Sequence, residues 1–332
     1  MKSINRPMIK SIQHNVAYKI FRQLLLVILV SSVFAAITPN FRSINNVVQI
    51  TLSAACYVIL AMGLSCVLIS GATDLSAGAI VCLSGMSCCI LMRDYNASLG
   101  MGILAGLLTG ISCGLLNGLL VTKLKLVPFI ATLGTQWIYR GLANIVADGR
   151  PVSIRDVADP LMVERFYFIG GGRIGILPTP VWIFIVVGLL LSFLFTKTVY
   201  GRDLFAVGSS SEAARLSGIN VLRTKIIAFM LCGGLSALAG IMLAARLTSA
   251  QTNAGDGYEF EGIFASVIGG VSMAGGEGTI FGAICGAFFV AILRNGLNLN
   301  GISTFWQKVI MGAIIIVAVY IDTRRSHMKR NA

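Results

Sequence analysis

Charged residues and histidines are scarce in this 332-residue chain. Charged residues make up 12% of it and hydrophobic residues 56%, whereas a soluble domain typically contains about 25% charged residues. The two histidines, His14 and His327, lie near the chain ends, which disfavours a histidine-based acid–base site. No lysine directly follows a glycine, so the phosphate-binding loop of an ATPase is missing. We therefore expect a protein that is not an enzyme and that holds no cofactor and no metal.

Cysteine-pairing motifs are missing as well. None of the eight cysteines belongs to a C-x-x-C pair and no histidine lies near any of them, although a zinc or redox motif requires such spacing. All eight lie in apolar segments, which favours buried and unreactive thiols. They are Cys56, Cys66, Cys82, Cys88, Cys89, Cys113, Cys232 and Cys285.

Long apolar runs dominate the rest of the chain. Each crossing of a bilayer by a helix needs roughly 20 mainly apolar residues. The runs predict an all-α, polytopic transmembrane helical bundle with about ten spans. They lie at 21–38, 47–70, 75–92, 99–122, 127–147, 180–197, 225–247, 260–275, 278–297 and 304–321.

The formal net charge of +13 arises from basic residues clustered between the apolar runs. This distribution follows the positive-inside rule and differs from a nucleic-acid-binding face, so we expect cytoplasmic termini and no nucleic-acid partner. A weak cleavage site at 34–39 favours a retained first helix over a removed signal peptide. The predicted organisation is a cytoplasmic tail (1–20), a single transmembrane domain (21–322) and a second cytoplasmic tail (323–332).

Glycine interrupts two apolar stretches and lines a third. Segments 70–78 and 269–278 each carry an acid and several glycines. Broken helices at membrane depth bring helix termini to a substrate, but a tight turn at the membrane surface explains either segment equally well. Glycine also recurs at every fourth residue from Gly102 to Gly118, which predicts close helix packing.

The predicted cytoplasmic loop 198–225 is unusually long and polar. Within it, Ser209 and Glu212 fit a capping box, and Gly218 suits the C-terminal end of a short helix. Such a helix at the membrane surface either docks into a groove on a cytoplasmic partner or is an ordinary surface helix. The residues alone leave both alternatives open.

This loop resembles the coupling-helix loop of the ribose/galactose/xylose-type permeases of bacterial ABC importers. In that family a G-R-x-x-x-A-x-G segment leads to A-A-x-x-x-G-I, and both patterns occur here. Further blocks follow in the family's order, so the resemblance covers about residues 45–322. The matching residues are Gly201-Arg202, Ala206, Gly208, Ala213-Ala214 and Gly218-Ile219, with the blocks 68–78, 127–135, 140–141, 257–259, 268–270 and 295–298.

The resemblance implies a multi-pass permease subunit in the lipid of the bacterial inner membrane that translocates a monosaccharide. Its partners would be a second permease copy (identical or a paralogue), a periplasmic sugar-binding protein and a cytoplasmic ABC ATPase, often with two nucleotide-binding domains in one chain. ATP binding would bias the bundle between inward- and outward-facing states. ATPase coupling is expected at Glu212, Ala213, Ala214, Arg215 and Gly218.

Polar residues within the apolar runs are candidates for the substrate pathway. Asp74 is either a pathway residue or, with Ser76, the N-terminal cap of the third span. Neutral polar groups on spans four and five either line a passage for sugar hydroxyls or bond the helices together. These groups are Asn117, Thr132, Gln136 and Asn144, while Asp256 and Glu259 are expected at the outer mouth, in contact with the binding protein.

Other functions remain open at this stage. Departures from the family pattern at Ala72, Thr73, Ala77 and Glu261 leave the sugar unidentified. The same architecture suits a branched amino acid or a nucleoside. An ion-coupled secondary transporter is the main alternative outside ABC transport, although it would usually contain more ionisable residues within the membrane.

Overall fold

The computed structural model describes residues 6–155 and 159–330. Within these ranges the chain is all α, as predicted, apart from one 3-10 helix and four two-residue strands that form two antiparallel pairs, β1 with β4 and β2 with β3. The helices are α1 (Arg6–Ile37), α2 (Ile44–Ile69), α3 (Ala77–Asp94), α4 (Leu99–Thr122), α5 (Pro128–Val146), α6 (Pro160–Gly171), α7 (Thr179–Lys197), α8 (Val199–Ser209), α9 (Ser211–Leu216), α10 (Val221–Leu247), α11 (Tyr258–Ile268), α12 (Ile280–Leu299) and α13 (Thr304–Arg330). The 3-10 helix is Pro39–Arg42, and the strands are β1 (Val152–Ser153), β2 (Arg173–Ile174), β3 (Leu177–Pro178) and β4 (Ser249–Ala250).

Six helices in the described part of the chain are long and apolar enough to cross a membrane: α2, α3, α4, α7, α10 and α12. Two shorter apolar stretches, Gln23–Ile37 and Thr304–Tyr320, lie within α1 and α13. The hydrocarbon core of a bilayer is about 30 Å thick. These lengths and compositions identify a protein that crosses a membrane several times.

The predicted eighth span, the apolar run 260–275, is not one continuous helix long enough to cross a membrane. α11 has only 11 residues, which span about 16 Å at the usual helical rise. Gly269 follows its last residue, and Gly270 has a φ of +86°, a conformation that residues with a side chain rarely adopt. The apolar composition continues past the end of α11, so an average hydropathy over these residues does not show that the helix ends at Ile268.

The glycine stripe of α4 packs where predicted. An added Cβ at Gly110 would clash with the carbonyl oxygen of Gly233, and one at Gly114 with that of Phe229. Both of these partners lie in α10. Because only glycine allows this backbone approach, the stripe fixes α4 against α10. All eight cysteines are buried and free in the bundle, as expected.

The first turns of α3 and α11 meet in the interior of the bundle. An added Cβ at Gly78 in α3 would clash with the Gly255 carbonyl and with the Glu259 carboxylate. The irregular segment 70–76, which precedes α3, is buried at Asp74, at 0% exposure. Residues 74–76 are thus enclosed by protein, the setting in which irregular structure is tolerated at membrane depth.

Candidate functional site

Two helices, α8 and α9, occupy most of loop 198–225, where only one was predicted. Ser210 alone separates them, and its Oγ accepts a hydrogen bond from the Ala213 N–H at 3.2 Å. Ser210 is therefore the N-cap, and the expected capping role of Ser209 is wrong. Ser209 is the last residue of α8, and its hydroxyl donates to the Phe205 carbonyl at 2.9 Å.

The C-terminal end of α9 matches the prediction. Gly218 has a φ of +83°, which favours glycine. Its N–H donates to the Arg215 carbonyl at 3.0 Å, and the Ile219 N–H donates to the Ala214 carbonyl at 3.0 Å. These two bonds form a Schellman motif. Hydrogen bonds thus close α9 at both ends, which gives this six-residue helix a defined shape.

α9 divides the predicted coupling residues between an exposed face and a buried one. Ala214 is 3% exposed and anchors the helix. Glu212, Ala213 and Arg215 are exposed, and Leu216 is 76% exposed. The exposed face thus combines a small residue, an apolar side chain and two opposite charges, which suits a groove on another protein.

Asp74 lies at the centre of a buried polar cluster. Its Oδ1 accepts from the Ser76 N–H at 2.8 Å and from the Ser76 hydroxyl at 2.7 Å. Asn117 Nδ2 on α4 donates to Ser76 Oγ at 2.7 Å and lies 3.4 Å from Asp74 Oδ1. Asp74 therefore bonds the backbone just before α3, while Ser76 is the N-cap residue and makes no side-chain capping bond.

One face of α5 completes this cluster. Thr132 Oγ1 accepts from the Leu75 N–H at 3.1 Å. The Tyr139 hydroxyl lies 3.2 Å from Asn117 Oδ1 and 3.0 Å from the Cys113 carbonyl oxygen. Tyr139 was not predicted, yet it stands seven residues after Thr132 and so shares its helical face. The seven-residue spacing could therefore have identified Tyr139 as a member of the cluster from the sequence.

The same face of α5 also holds the segment before α11. Gln136 Nε2 donates to Glu259 Oε1 at 3.0 Å, and Arg140 Nη1 donates to the Ala254 carbonyl at 2.7 Å. Glu259 is 1% exposed, and its Oε2 has no hydrogen-bond partner. Arg140, which belonged to a family block but had no assigned role, thus connects α5 to the irregular chain before α11.

Two of the remaining three predicted residues, Asn144 and Glu259, depart from the expected arrangement. Asn144 Nδ2 donates to the Arg140 carbonyl of its own helix at 2.8 Å, so it does not join the cluster. Asp256 is exposed, as a binding-protein contact requires. Glu259 was expected beside it at the surface but is buried against Gly78 and Gln136.

The cluster offers hydroxyl and amide groups that donate and accept hydrogen bonds. These groups are complementary to sugar hydroxyls. In this conformation they bond one another, and Asp74, Ser76, Asn117 and Thr132 are all 0% exposed. The cluster here bonds α3, α4 and α5 together, so solute could reach these groups only after these helices separate.

Comparison with known families gives a match over most of the chain. Residues 46–319 match the family described as branched-chain amino acid transport system / permease component. No solved structure matches the chain.

Curated relatives are similar over nearly their whole length. The ribose import permease protein RbsC of Escherichia coli K12 is 37% identical over 305 residues, which cover 92% of this chain and 94% of the relative. RbsC of Bacillus subtilis 168 is 38% identical, with 91% of each chain covered. The L-arabinose transport system permease protein AraH of Escherichia coli K12 is 39% identical, with 89% of this chain and 88% of the relative covered.

Proposed function

This chain belongs to the family of branched-chain amino acid transport system permease components, and we propose from this premise that it is the membrane-spanning permease of a bacterial ABC importer for a monosaccharide. The observation that carries the proposal is the likeness to permeases named for ribose and L-arabinose over about nine-tenths of the chain. Those names favour a sugar over the branched-chain amino acid in the family's description. The chain is the permease component and is not itself an ATPase.

An ATPase must supply the energy from outside the chain. α9 is the part we assign to this contact, because its exposed face carries Glu212, Ala213, Arg215 and Leu216 on a helix closed by hydrogen bonds at both ends. A preformed helix loses less conformational entropy on docking than a flexible loop does. Ala214 keeps α9 seated on the permease. Nucleotide binding in the ATPase would then move α9 as a unit.

The orientation we propose places both termini and α9 in the cytoplasm. Basic residues lie within the α8–α9 region, at Arg202 and Arg215, and flank it at Lys197 and Arg223, in agreement with the positive-inside rule. The strand pair of Val152 with Ala250 joins two loops that would then both lie on the outer side.

A second permease copy would supply the other wall of the pathway. In the single chain, the polar cluster around Asp74 and Asn117 is fully buried. The helices around it must therefore move apart before a solute can reach these side chains. We place the pathway beside the polar face of α5, which bears Thr132, Gln136 and Tyr139. Two copies acting together would let α5 move without exposing that face to lipid.

The proposed contact with the binding protein is the outer segment before α11. Asp256 is exposed there, and Arg140 fixes the neighbouring Ala254 carbonyl to α5. Docking at Asp256 would therefore act directly on the α5 side of the polar cluster. The buried Glu259 side chain, which accepts a bond from Gln136 on α5, would move together with α5.

The test is reconstitution of the chain in proteoliposomes with its cognate ATPase and binding protein. We expect uptake of a labelled monosaccharide that requires ATP inside and binding protein outside. Ribose, L-arabinose, leucine and uridine should be compared in one assay. Uptake of leucine or uridine in preference to every sugar would contradict the substrate class, and uptake driven by an ion gradient without ATP would contradict the mechanism.

A further inference from the structure

The C-terminal end of α8 contacts the C-terminal end of α2 through backbone alone. Gly208 is the second-last residue of α8, and Ile69 is the last residue of α2. An added Cβ at Gly208 would clash with the Ile69 carbonyl oxygen and would lie 2.6 Å from the Gly276 nitrogen. Since real Cβ atoms do not approach other atoms so closely, only glycine fits at this position.

The loop between α11 and α12 completes the same junction. The Gly276 N–H donates to the Ile69 carbonyl at 2.9 Å. An added Cβ at Gly275 would lie 2.7 Å from the Gly208 oxygen and 2.8 Å from Gly71 Cα. Three separate parts of the chain therefore meet through close backbone contacts, at a junction formed by Ile69, Gly71, Gly208, Gly275 and Gly276.

This junction lies between α9 and the polar cluster. On one side, Ser210 alone links α8 to α9, and the Ser211 hydroxyl donates to the Val207 carbonyl at 3.0 Å across that link. On the other side, Gly71 stands three residues before Asp74. Displacement of α9 thus reaches the cluster through a short, continuous series of contacts.

We propose that Gly208 is the positioning residue that transmits movement of α9 to segment 70–76 and to the α11–α12 loop. Close-packed backbones have little free space and low compressibility, so a shift of one displaces the other. In segment 70–76, Ser76 accepts a bond from Asn117, and the Leu75 N–H donates to Thr132; these bonds hold the cluster closed. Movement of α8 therefore opens or closes the bonds between α3, α4 and α5. This inference rests on the proposed function.

The first test is Gly208→Ala in the reconstituted complex, with Gly100→Ala as the control. Gly100 is also a helical glycine, but an added Cβ there meets nothing within 4 Å. We expect Gly208→Ala to bind the ATPase and to keep basal ATP hydrolysis, because every residue of the exposed face of α9 is retained. Sugar uptake and the stimulation of hydrolysis by loaded binding protein should each fall by at least about tenfold, as expected when coupling between two sites is lost. Gly100→Ala should match the unmodified complex.

The second test keeps Gly208 and holds the junction closed. Ser209 Oγ lies directly beside the position where an added Cβ at Gly276 would stand, so Ser209→Cys with Gly276→Cys places two thiols together. If α8 and the loop move as one body, the oxidised cross-linked complex should transport at the rate of the same variant after reduction. Because both redox states carry the same two substitutions, a difference in transport rate between them reports the cross-link and not the strain that the substitutions introduce.

Each outcome decides a separate point. Normal uptake and normal stimulation in Gly208→Ala would overturn the inference and leave the proposed function intact. Uptake lost on oxidation and restored by reductant would overturn it too, because α8 would then slide past the loop. If Gly208→Ala fails to assemble, the cross-linked variant gives the decision. Absence of ATP-dependent uptake in the unmodified complex would overturn the proposed function, and with it the inference.

Discussion

Arg294 on α12 forms an ion pair with Glu261 on α11. Its Nη1 also donates to the Tyr57 hydroxyl on α2 at 3.1 Å, and its guanidinium carbon lies 6.0 Å from the centroid of that ring. Glu261 is 7% exposed. Three helices, α2, α11 and α12, are thus joined at the first turn of α11.

Removing one partner of this pair should destabilise the permease. Arg294→Met leaves the Glu261 carboxylate buried without its counter-charge, at a cost toward the lower end of about 3–5 kcal/mol because part of the arginine is solvated. We expect a lower midpoint of thermal unfolding in detergent. Glu261→Gln combined with Arg294→Met should recover much of the loss, since no unpaired charge remains.

The exposed pair of Arg93 with Asp94 supplies the control for this comparison. Its side chains are 34% and 43% exposed, and exposed pairs contribute about 0–1 kcal/mol. Arg93→Met should therefore change the unfolding midpoint little. Equal effects of Arg93→Met and Arg294→Met would show that the Glu261 pair adds nothing beyond a surface contact.

Asn117 should be required for the integrity of the polar cluster. Asn117→Leu removes the donor to Ser76 and an acceptor near Tyr139, and buried polar groups left unpaired cost about 1–3 kcal/mol. We expect a lower unfolding midpoint and reduced uptake. Thr109→Val is the matched control, because the Thr109 hydroxyl bonds only the Ala105 carbonyl of its own helix. If both variants were equally stable, the cluster would have no role in holding α3 to α4.

Several features that depend on residues close together in the sequence were predicted correctly. α4 was predicted at 99–122 and lies at Leu99–Thr122, because its apolar run and glycine period coincide. Gly218 ends α9 as expected, since a left-handed residue is needed there. The family assignment was also confirmed, because its motifs extend along most of the chain.

Contacts between distant segments could not be predicted in the same way. Arg294 pairs with Glu261, which lies 33 positions earlier in the sequence, and no local sequence pattern identifies either residue as the partner of the other. α8 was missed because the whole loop 198–225 was judged by its length and charge. Run 260–275 was misjudged because backbone conformation at Gly270 ends α11, while the apolar composition continues.

The exposed face of α9 should determine binding of the ATPase. Ala213→Trp places a bulky side chain on that face without touching the buried Ala214, so the permease should fold normally. We expect the affinity for the ATPase to fall at least about tenfold, or ~1.4 kcal/mol, with loss of uptake. The measurement is a binding titration between the purified components in detergent.

Two further variants separate size from charge on this face. Ala213→Ser keeps a small side chain and should bind the ATPase as the unmodified chain does. Arg215→Glu should weaken binding, with an effect that decreases at high salt because exposed charges are screened. Unchanged affinity in Ala213→Trp would exclude α9 as the docking element.

Glu259 distinguishes an ATP-driven importer from an ion-coupled transporter. Acids buried within a membrane commonly carry the coupling ion in secondary transporters, and Glu259 is 1% exposed, with Oε2 unpaired. In an ABC importer the energy comes from ATP, so the charge of Glu259 is not needed to drive uptake. Glu259→Gln keeps an oxygen that accepts from Gln136. We therefore expect uptake within about threefold of the unmodified complex, and no loss when ionophores collapse the proton and sodium gradients.

Glu259→Ala provides the matched comparison, because it removes the bond to Gln136 as well as the charge. Its uptake should fall further than that of Glu259→Gln, since α5 then loses its bond to α11 and keeps only the bonds of Arg140 to the segment before α11. The ATP requirement should persist in both variants. If Glu259→Gln abolished uptake and ionophores did the same to the unmodified protein, Glu259 would be an ion-binding residue and the chain a secondary transporter.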